Sequence, residues 1–255
     1  MIRILYLGQK PIGEKCFSLL VREEIALCCA GSNTGNAAWW KSDRVRQEAS
    51  ALGIPFVDNA DRHEDRLLEH IENLGIHCII SVQHPWILSK RLLDAVDNFA
   101  FNLHCAPLPE YQGYNVCNHA ILNGETTFAS TIHWMAPAVD AGDAAFVESF
   151  PVDATDTAWS LHGKAQAAGL RAFGRLAASL AQGRTPPRTA LSGSPRFYSR
   201  QSIVPLRRVV HPEDALELDR KARAFWFPPF EPAYIMAGGR KFHVIPADAD
   251  RNLLP

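Results

Sequence analysis

Ile76-His77-Cys78-Ile79-Ile80-Ser81-Val82 is the stretch on which the fold turns. It is strongly apolar and predicts a central strand. Upstream, residues 62–74 form a charged amphipathic pattern with Leu67, Leu68 and Ile71 turned inward. Residues 54–57 read as a short strand, 44–52 as a helix, and the polar segment 31–43 as a loop. Residues 25–30 predict a strand ending at Gly31. Residues 13–22 predict a helix with Cys16, Leu19 and Leu20 on its inner face, and residues 2–7 a buried strand ending at Gly8. Downstream, Ser89 is a helix-cap candidate for residues 89–95, and residues 99–103 are again strand-like. Strands alternating with helices predict an α/β fold with a mostly parallel, Rossmann-like sheet flanked by helices. Ligands in such sheets bind beyond the carboxyl ends of the strands.

The pattern changes after Leu103. Residues 131–135 and 144–151 suggest an antiparallel pair at the far side of the sheet, and residues 158–180 a long Ala-rich helix. Residues 183–187 are a turn-rich break. Beyond it the chain is mixed: a helix at 214–224, then segments 233–237 and 241–246 flanking Gly238-Gly239, a hairpin signal. The division expected is a catalytic domain over residues 1–185 and a small C-terminal subdomain over 186–255.

Composition narrows the function. The 255 residues hold 47% hydrophobic and 21% charged residues, ordinary for a globular protein. Lys plus Arg is 26 against 27 Asp plus Glu, so no global field attracts a polyanion and a dedicated nucleic-acid binder is disfavoured. No apolar run approaches the roughly 20 residues of a membrane helix. The N-terminus enters a strand without a signal-peptide pattern. Six cysteines show no CxxC, and several sit in apolar runs. A reduced, cytoplasmic protein is expected, without a metal site.

The densest chemistry is Phe101-Asn102-Leu103-His104-Cys105-Ala106-Pro107-Leu108-Pro109-Glu110-Tyr111-Gln112-Gly113. Asn102 and His104 lie two apart on a strand, so their side chains share one face. Taken alone, the pair is a weak signal and reads more readily as a structural histidine beside an asparagine turn. A downstream acid in Asp140-Ala141-Gly142-Asp143 falls on a tight turn between two predicted strands.

Together these elements resemble the folate-dependent formyltransferase family. That family is marked by Asn-x-His, then Leu-Pro-x-Tyr-x-Gly, then Asp-x-Gly, present here as 102–104, 108–113 and 140–142. The resemblance covers about the first 165 residues well and the rest loosely. Gln112 stands where the common form carries Arg, and Cys105-Ala106 where a Ser is usual nearby; neither departure is expected to touch the triad. The resemblance implies transfer of a formyl group from N10-formyltetrahydrofolate to an amine. Asn102 would donate to the developing oxyanion, His104 would take the amine's proton, and Asp140 would orient that imidazole. It also implies a pterin site at Ser81–Leu88, where Trp86, Ile87 and Leu88 suit a flat heterocycle and His84 shapes the pocket.

For the acceptor, Gln83-His84-Pro85-Trp86-Ile87 and the tail over residues 223–234 resemble the corresponding stretches of sugar N-formyltransferases, which act on an amino group of a nucleotide-linked dideoxy sugar for surface polysaccharide such as lipopolysaccharide O-antigen. Only about 60 residues follow Gly193, fewer than the C-terminal barrel of methionyl-tRNA formyltransferase requires. Arg196, Arg200, Arg207 and Arg208 read as a solvated face rather than a phosphate stripe. Lys10 is a candidate for the diphosphate, and Tyr114 and Asn115 for the hexose. Arg223, Trp226 and Phe230 sit in an aromatic, Pro-rich tail that either holds the nucleotide or closes the subdomain by packing. A homodimer is expected from the resemblance. The same chemistry on an amino acid, a siderophore precursor or an aminoacyl-tRNA stays open, as does a non-catalytic folate- or nucleotide-binding module. Trp39-Trp40 reads as an exposed pair of undecided role.

Overall fold

A computed structural model describes residues 2–23, 25–32, 40, 42–58 and 64–249. Residues 33–39 and 59–63, including Trp39, most of the 31–43 loop and the start of the 62–74 pattern, lie outside the described residues. Trp40 is buried, not exposed.

The N-terminal half alternates as the sequence predicts. It runs β1 (Arg3–Gly8), α1 (Lys10–Arg22), β2 (Ala26–Ser32), α2 (Arg44–Ala51), β3 (Phe56–Asp58), α3 (Glu64–Leu74), β4 (Cys78–Val82), α4 (Lys90–Asp94) and β5 (Ala100–His104). Next come β6 (Gln112–Gly113), α5 (Val116–Asn123), β7 (Thr127–Trp134), β8 (Ala144–Pro151) and α6 (Ala158–Ala181). The chain continues with β9 (Phe197–Tyr198), a 3-10 turn at Pro205–Arg207, α7 (Ala215–Ala224), β10 (Ala233–Ala237) and β11 (Arg240–Val244).

One seven-stranded sheet has the order β3-β2-β1-β4-β5-β7-β8. Pairing is parallel from β3 through β5 and antiparallel at β5–β7 and β7–β8. Every residue of β4 is buried, which is why this strand reads as an unbroken apolar run. Three helices, α4, α6 and α7, begin on side-chain caps. Ser89 Oγ accepts from the Leu92 N–H at 3.2 Å, and the Asp214 carboxylate accepts from the N–H groups of Leu216 and Glu217. Thr157 and Ser160 cap the N-terminus of α6 reciprocally.

Two boundaries depart from expectation by three residues or more. Helix α1 begins at Lys10, not Gly13, because Pro11 fits a first helical turn, where its missing N–H costs nothing. Strand β7 begins at Thr127, not Thr131, because its polar residues are satisfied while buried. Ser130 Oγ donates to the Ala165 carbonyl at 2.7 Å and Thr131 Oγ1 to that of Ala106 at 2.9 Å.

Apolar clusters cover both faces of the sheet, one under α1, α2 and α6 and one under α3 and α4. A third joins Ala106, Tyr111 and Phe128 to Tyr198, Ile203 and Phe225. Residues after 186 therefore pack on the loop that follows β5. The pairing of β6 with β9 fixes the same contact through the backbone.

Candidate active site

Strands β4 and β5 deliver the first groups at their carboxyl ends. Asn102 Oδ1 accepts from Ser81 Oγ at 2.9 Å, which orients the amide. Asn102 Nδ2 lies 3.0 Å from His133 Nε2, on the antiparallel neighbour β7. His133 Nδ1 lies 2.9 Å from the Trp134 carbonyl, an acceptor that requires the proton on Nδ1. Nε2 is then the acceptor for Asn102, which retains a second N–H donor.

His104 is buried and held at both ends of its ring. Nε2 donates to the Tyr111 carbonyl at 2.6 Å, and Nδ1 stands 3.5 Å from Asp140 Oδ2. The carbonyl fixes the proton on Nε2 and leaves Nδ1 as the basic nitrogen. Burial lowers the His104 pKa from its ordinary value, opposed by Asp140 and the Tyr111 carbonyl and reinforced by His133. The imidazole is therefore neutral and able to accept a proton.

Asp140 sits between β7 and β8 with φ 52°, a left-handed backbone that Asp tolerates. Burial would raise its pKa, but His104, His133 and the Gly113 N–H outweigh burial and lower it to about 2. It is a carboxylate at neutral pH. A Cβ at Gly142 would stand 1.8 Å from the Trp134 carbonyl oxygen, so this turn closes only on glycine.

Two cavities flank the triad. One, of about 230 Å³, is lined by Asn102, His104, His133, Asp140, Trp86 and Met135 among others. The other, of about 410 Å³, is lined by Tyr114, Asn115, Arg200 and Phe230 among others. Lys10, Gln83, His104, Gly113, Tyr114 and Arg200 line both, so the two spaces meet at His104.

Residues 30–175, more than half of the chain, match the Formyl transferase family. The chain belongs to that family. GDP-perosamine N-formyltransferase of Brucella melitensis biotype 1 is 28% identical over 258 residues, spanning 99% of this chain and 95% of that protein. Methionyl-tRNA formyltransferase of Moorella thermoacetica is 34% identical over 118 residues, 46% of this chain and 38% of that protein. Among solved structures, an N-formyltransferase from Helicobacter canadensis in complex with folinic acid and dTDP-3-aminofucose superposes with a TM-score of 0.76. The match covers 94% of this chain and 86% of that one at 20% identity, which establishes a shared fold. This formyl-transferring enzyme carries no helix among the described residues long and apolar enough to cross a membrane.

The formyltransferase brings most of the sequence-predicted residues together. Asn102, His104, Asp140, His84, Trp86, Ile87 and Leu88 all line the first cavity. Leu88 is part of the core beneath it, whereas Ile87 is 69% exposed at its rim. His84 packs edge-on against Trp86 at 5.3 Å, and burial lowers its pKa to about 4, so it is neutral. Lys10, Tyr114, Asn115 and Phe230 line the second cavity.

Arg223 and Trp226 line neither. The Arg223 guanidinium is spent on Asp219 one turn back, at 2.6 and 2.9 Å, and on the Asp156 carbonyl at 3.0 Å. Trp226 is a buried packing residue, so this part of the tail follows the packing alternative.

Two further expectations need correction. Gln112 does touch the triad, because its Nε2 donates to the Asp140 carbonyl at 2.9 Å. Arg200 and Arg207 are not merely a solvated face, since both line the second cavity and Arg200 lies 4.5 Å over the Tyr114 ring. His133 was not singled out by sequence reasoning. Only the β5–β7 register, invisible in one sequence, sets it opposite Asn102.

Proposed function

We propose that this formyltransferase is a cytoplasmic, homodimeric sugar N-formyltransferase. It moves a formyl group from N10-formyltetrahydrofolate to the amino group of a nucleotide-linked amino dideoxy sugar used in surface polysaccharide such as O-antigen. The observation that carries this reading is the meeting of two cavities at His104, with Asn102 and Asp140 beside it.

The first cavity suits the donor. Trp86, Met135 and Val139 give it apolar walls, and the strand ends offer backbone polar groups around them. The second cavity suits an anionic acceptor with an aromatic part, because it combines Lys10 and Arg200 with Phe225, Phe227 and Phe230. Burial pulls the Lys10 ammonium below its ordinary pKa; Cys105 opposes the shift and Arg200 reinforces it. Two cations on one wall repel, and a diphosphate between them would relieve that repulsion. The Brucella relative, matched almost end to end, is named for a nucleotide-linked amino sugar, and the Helicobacter structure holds another.

In this reading the second N–H of Asn102 meets the formyl oxygen as negative charge develops there. Preorganised donors of this kind are worth roughly 2.7–4 kcal/mol each. The acceptor nitrogen bonds to the formyl carbon and His104 Nδ1 takes the proton it sheds; the bond from that carbon to the donor nitrogen then breaks, and His104 returns the proton to the departing donor nitrogen. Asp140 stabilises the resulting imidazolium. Tyr114 and Asn115 lie where the hexose would pass, and Phe230 offers a face to the base.

Purified protein with N10-formyltetrahydrofolate and a panel of nucleotide-linked amino sugars should yield a formylated sugar, detected by mass spectrometry. Formylation of methionyl-tRNA, an amino acid or a hydroxylamine, with every nucleotide sugar untouched, would replace this reading. Binding of both ligands without turnover of any amine would mark a non-catalytic module.

A further inference from the structure

The second cavity holds a charged pair that the steps above leave unused. Glu231 Oε2 accepts from Arg207 Nη1 at 2.9 Å, and Oε1 accepts from Lys241 Nζ at 2.6 Å. Glu231 and Arg207 line the cavity with Phe225, Phe227 and Phe230. The Phe227 and Phe230 rings are 5.9 Å apart, and the Arg207 guanidinium stands 5.7 Å from the Phe225 ring. Arg207 Nε is buried without a hydrogen-bond partner. Aromatic faces and an ion pair thus share one wall.

Stacking accepts any base, because every base has a π-face. The edges of the base decide selectivity. The Lys241 hydrogen bond is the main influence holding the Glu231 carboxyl below its ordinary pKa, with Arg207 adding to it and burial opposing it. It is therefore an acceptor only. Each carboxylate oxygen has two acceptor positions, and Arg207 and Lys241 take one on each. His243 Nε2 also faces Oε1, at 3.7 Å, beyond hydrogen-bond distance, so one acceptor position on each oxygen remains beside a guanidinium. Guanine supplies the complement, with adjacent N1–H and N2–H donors and the acceptors O6 and N7, which suit arginine. Uracil and thymine place a single N–H between two carbonyl oxygens, and one of those oxygens would face the carboxylate.

Resting on the sugar N-formyltransferase reading, we propose that Glu231 and Arg207 read the base of the acceptor nucleotide and select guanosine diphosphate sugars over pyrimidine ones. The competing account is a clamp, since Glu231 also ties the 205–207 turn to β11. A clamp would affect all nucleotides alike.

The test is calorimetric titration of the full-length protein with GDP, inosine diphosphate, UDP and dTDP, repeated on Glu231→Gln. GDP should bind about tenfold more tightly than UDP or dTDP, as expected for a paired donor–acceptor edge. Inosine diphosphate differs from GDP only in lacking the 2-amino group, and it should bind several-fold more weakly than GDP. Glu231→Gln should erase most of that difference while leaving UDP and dTDP within about twofold of wild type. Equal affinity of the wild type for GDP and inosine diphosphate overturns the proposal without recourse to any variant. So does UDP or dTDP binding as tightly as GDP, or a uniform loss across all four nucleotides in Glu231→Gln. Turnover of a pyrimidine-linked amino sugar in preference to a guanosine-linked one sinks the base assignment and keeps the sugar N-formyltransferase reading. No binding of any nucleoside diphosphate, with no turnover of any nucleotide sugar, sinks both.

Discussion

Gln112 Nε2 donates to the backbone carbonyl of Asp140 at 2.9 Å, and the adjacent Gly113 N–H donates to Asp140 Oδ2 at 3.0 Å. The loop that carries these donors is itself held from behind. Gln112 N donates to the Arg196 carbonyl at 3.0 Å and Tyr114 N to that of Tyr198 at 2.8 Å. The carboxylate of the site is thus aimed by β6, and β6 is aimed by residues far along the chain. Gln112→Ala should lower kcat roughly fivefold with little change in either KM, because one hydrogen bond worth about 1 kcal/mol is lost at a positioning contact. Gln112→Arg restores a donor and should recover most of the rate. Steady-state kinetics on both variants checks this, and an alanine variant with wild-type kcat would remove Gln112 from any positioning role.

Asn102 and His104 should separate from residues that only bind. Asn102→Ala should cost about 10²–10³ in kcat, and His104→Ala about 10²–10⁴, with both substrates still bound. Mass-spectrometric assay of formylated product gives kcat, and calorimetric titration gives binding. Full turnover in His104→Ala would end the assignment of the base.

Much of this was legible in the sequence because parallel α/β architecture writes itself as apolar runs separated by amphipathic ones. β4 is buried on every residue and reads without ambiguity. Period-two spacing puts Asn102 and His104 on one face, and the family resemblance, not the spacing, singles them out. What stayed hidden depends on register and on distant contacts. His133 meets Asn102 only through antiparallel pairing of β5 with β7, and Arg200 reaches the cavity only because β9 docks on β6. Two-residue strands leave no periodicity to detect. The sequence left Arg223 open between a nucleotide contact and packing, and Asp219 and the Asp156 carbonyl occupy it.

The acid side of the pH profile follows from burial. In the proposed mechanism His104 must be neutral to accept a proton, and burial sets its pKa below the ordinary 6.5, so the midpoint of the acid limb of kcat should lie below pH 6.5. Asp140→Asn removes the charge that raises this pKa, so the limb should move lower still while the plateau drops. Stability should decline over a related window. His84 and His162 are each lowered to about 4 by burial. The unfolded chain takes up protons at these groups from about pH 6.5 downward, and the folded chain does not. Their contribution is therefore complete above pH 6.5 and lost as pH falls toward 4. Asp140, lowered to about 2, adds its loss only below its ordinary 3.8. Urea titrations from pH 8 to pH 4 should show a falling midpoint, and a flat profile would contradict the neutral, buried state of these histidines.

The cations of the second cavity should act on the acceptor and not on the donor. Arg200 lines both spaces, so a folate's carboxylate tail competes with a diphosphate as its partner. Arg200→Gln should raise KM for the nucleotide sugar about tenfold, as loss of a charge-assisted hydrogen bond does, and leave KM for the formyl donor unchanged. The reverse pattern would move Arg200 to the donor side. Added salt should weaken acceptor binding less in the variant than in the wild type.

Glycine substitutions separate the turn that carries Asp140 from glycines that merely lie in helices. At Gly142 a Cβ would stand 1.8 Å from the Trp134 carbonyl oxygen, and backbone cannot give way as a flexible side chain can. Gly142→Ala should therefore destabilise by about 1–3 kcal/mol, and it should also depress activity by displacing Asp140. Gly163 in α6 meets nothing within 4 Å, and an alanine there adds helix propensity and restrains the unfolded chain. Gly163→Ala should stabilise by about 0.5–1 kcal/mol with activity unchanged. Thermal unfolding of the two variants side by side checks both signs. A tolerated Gly142→Ala would show that the turn has slack, and the aim of Asp140 would then have to come from Gln112 and Gly113 alone.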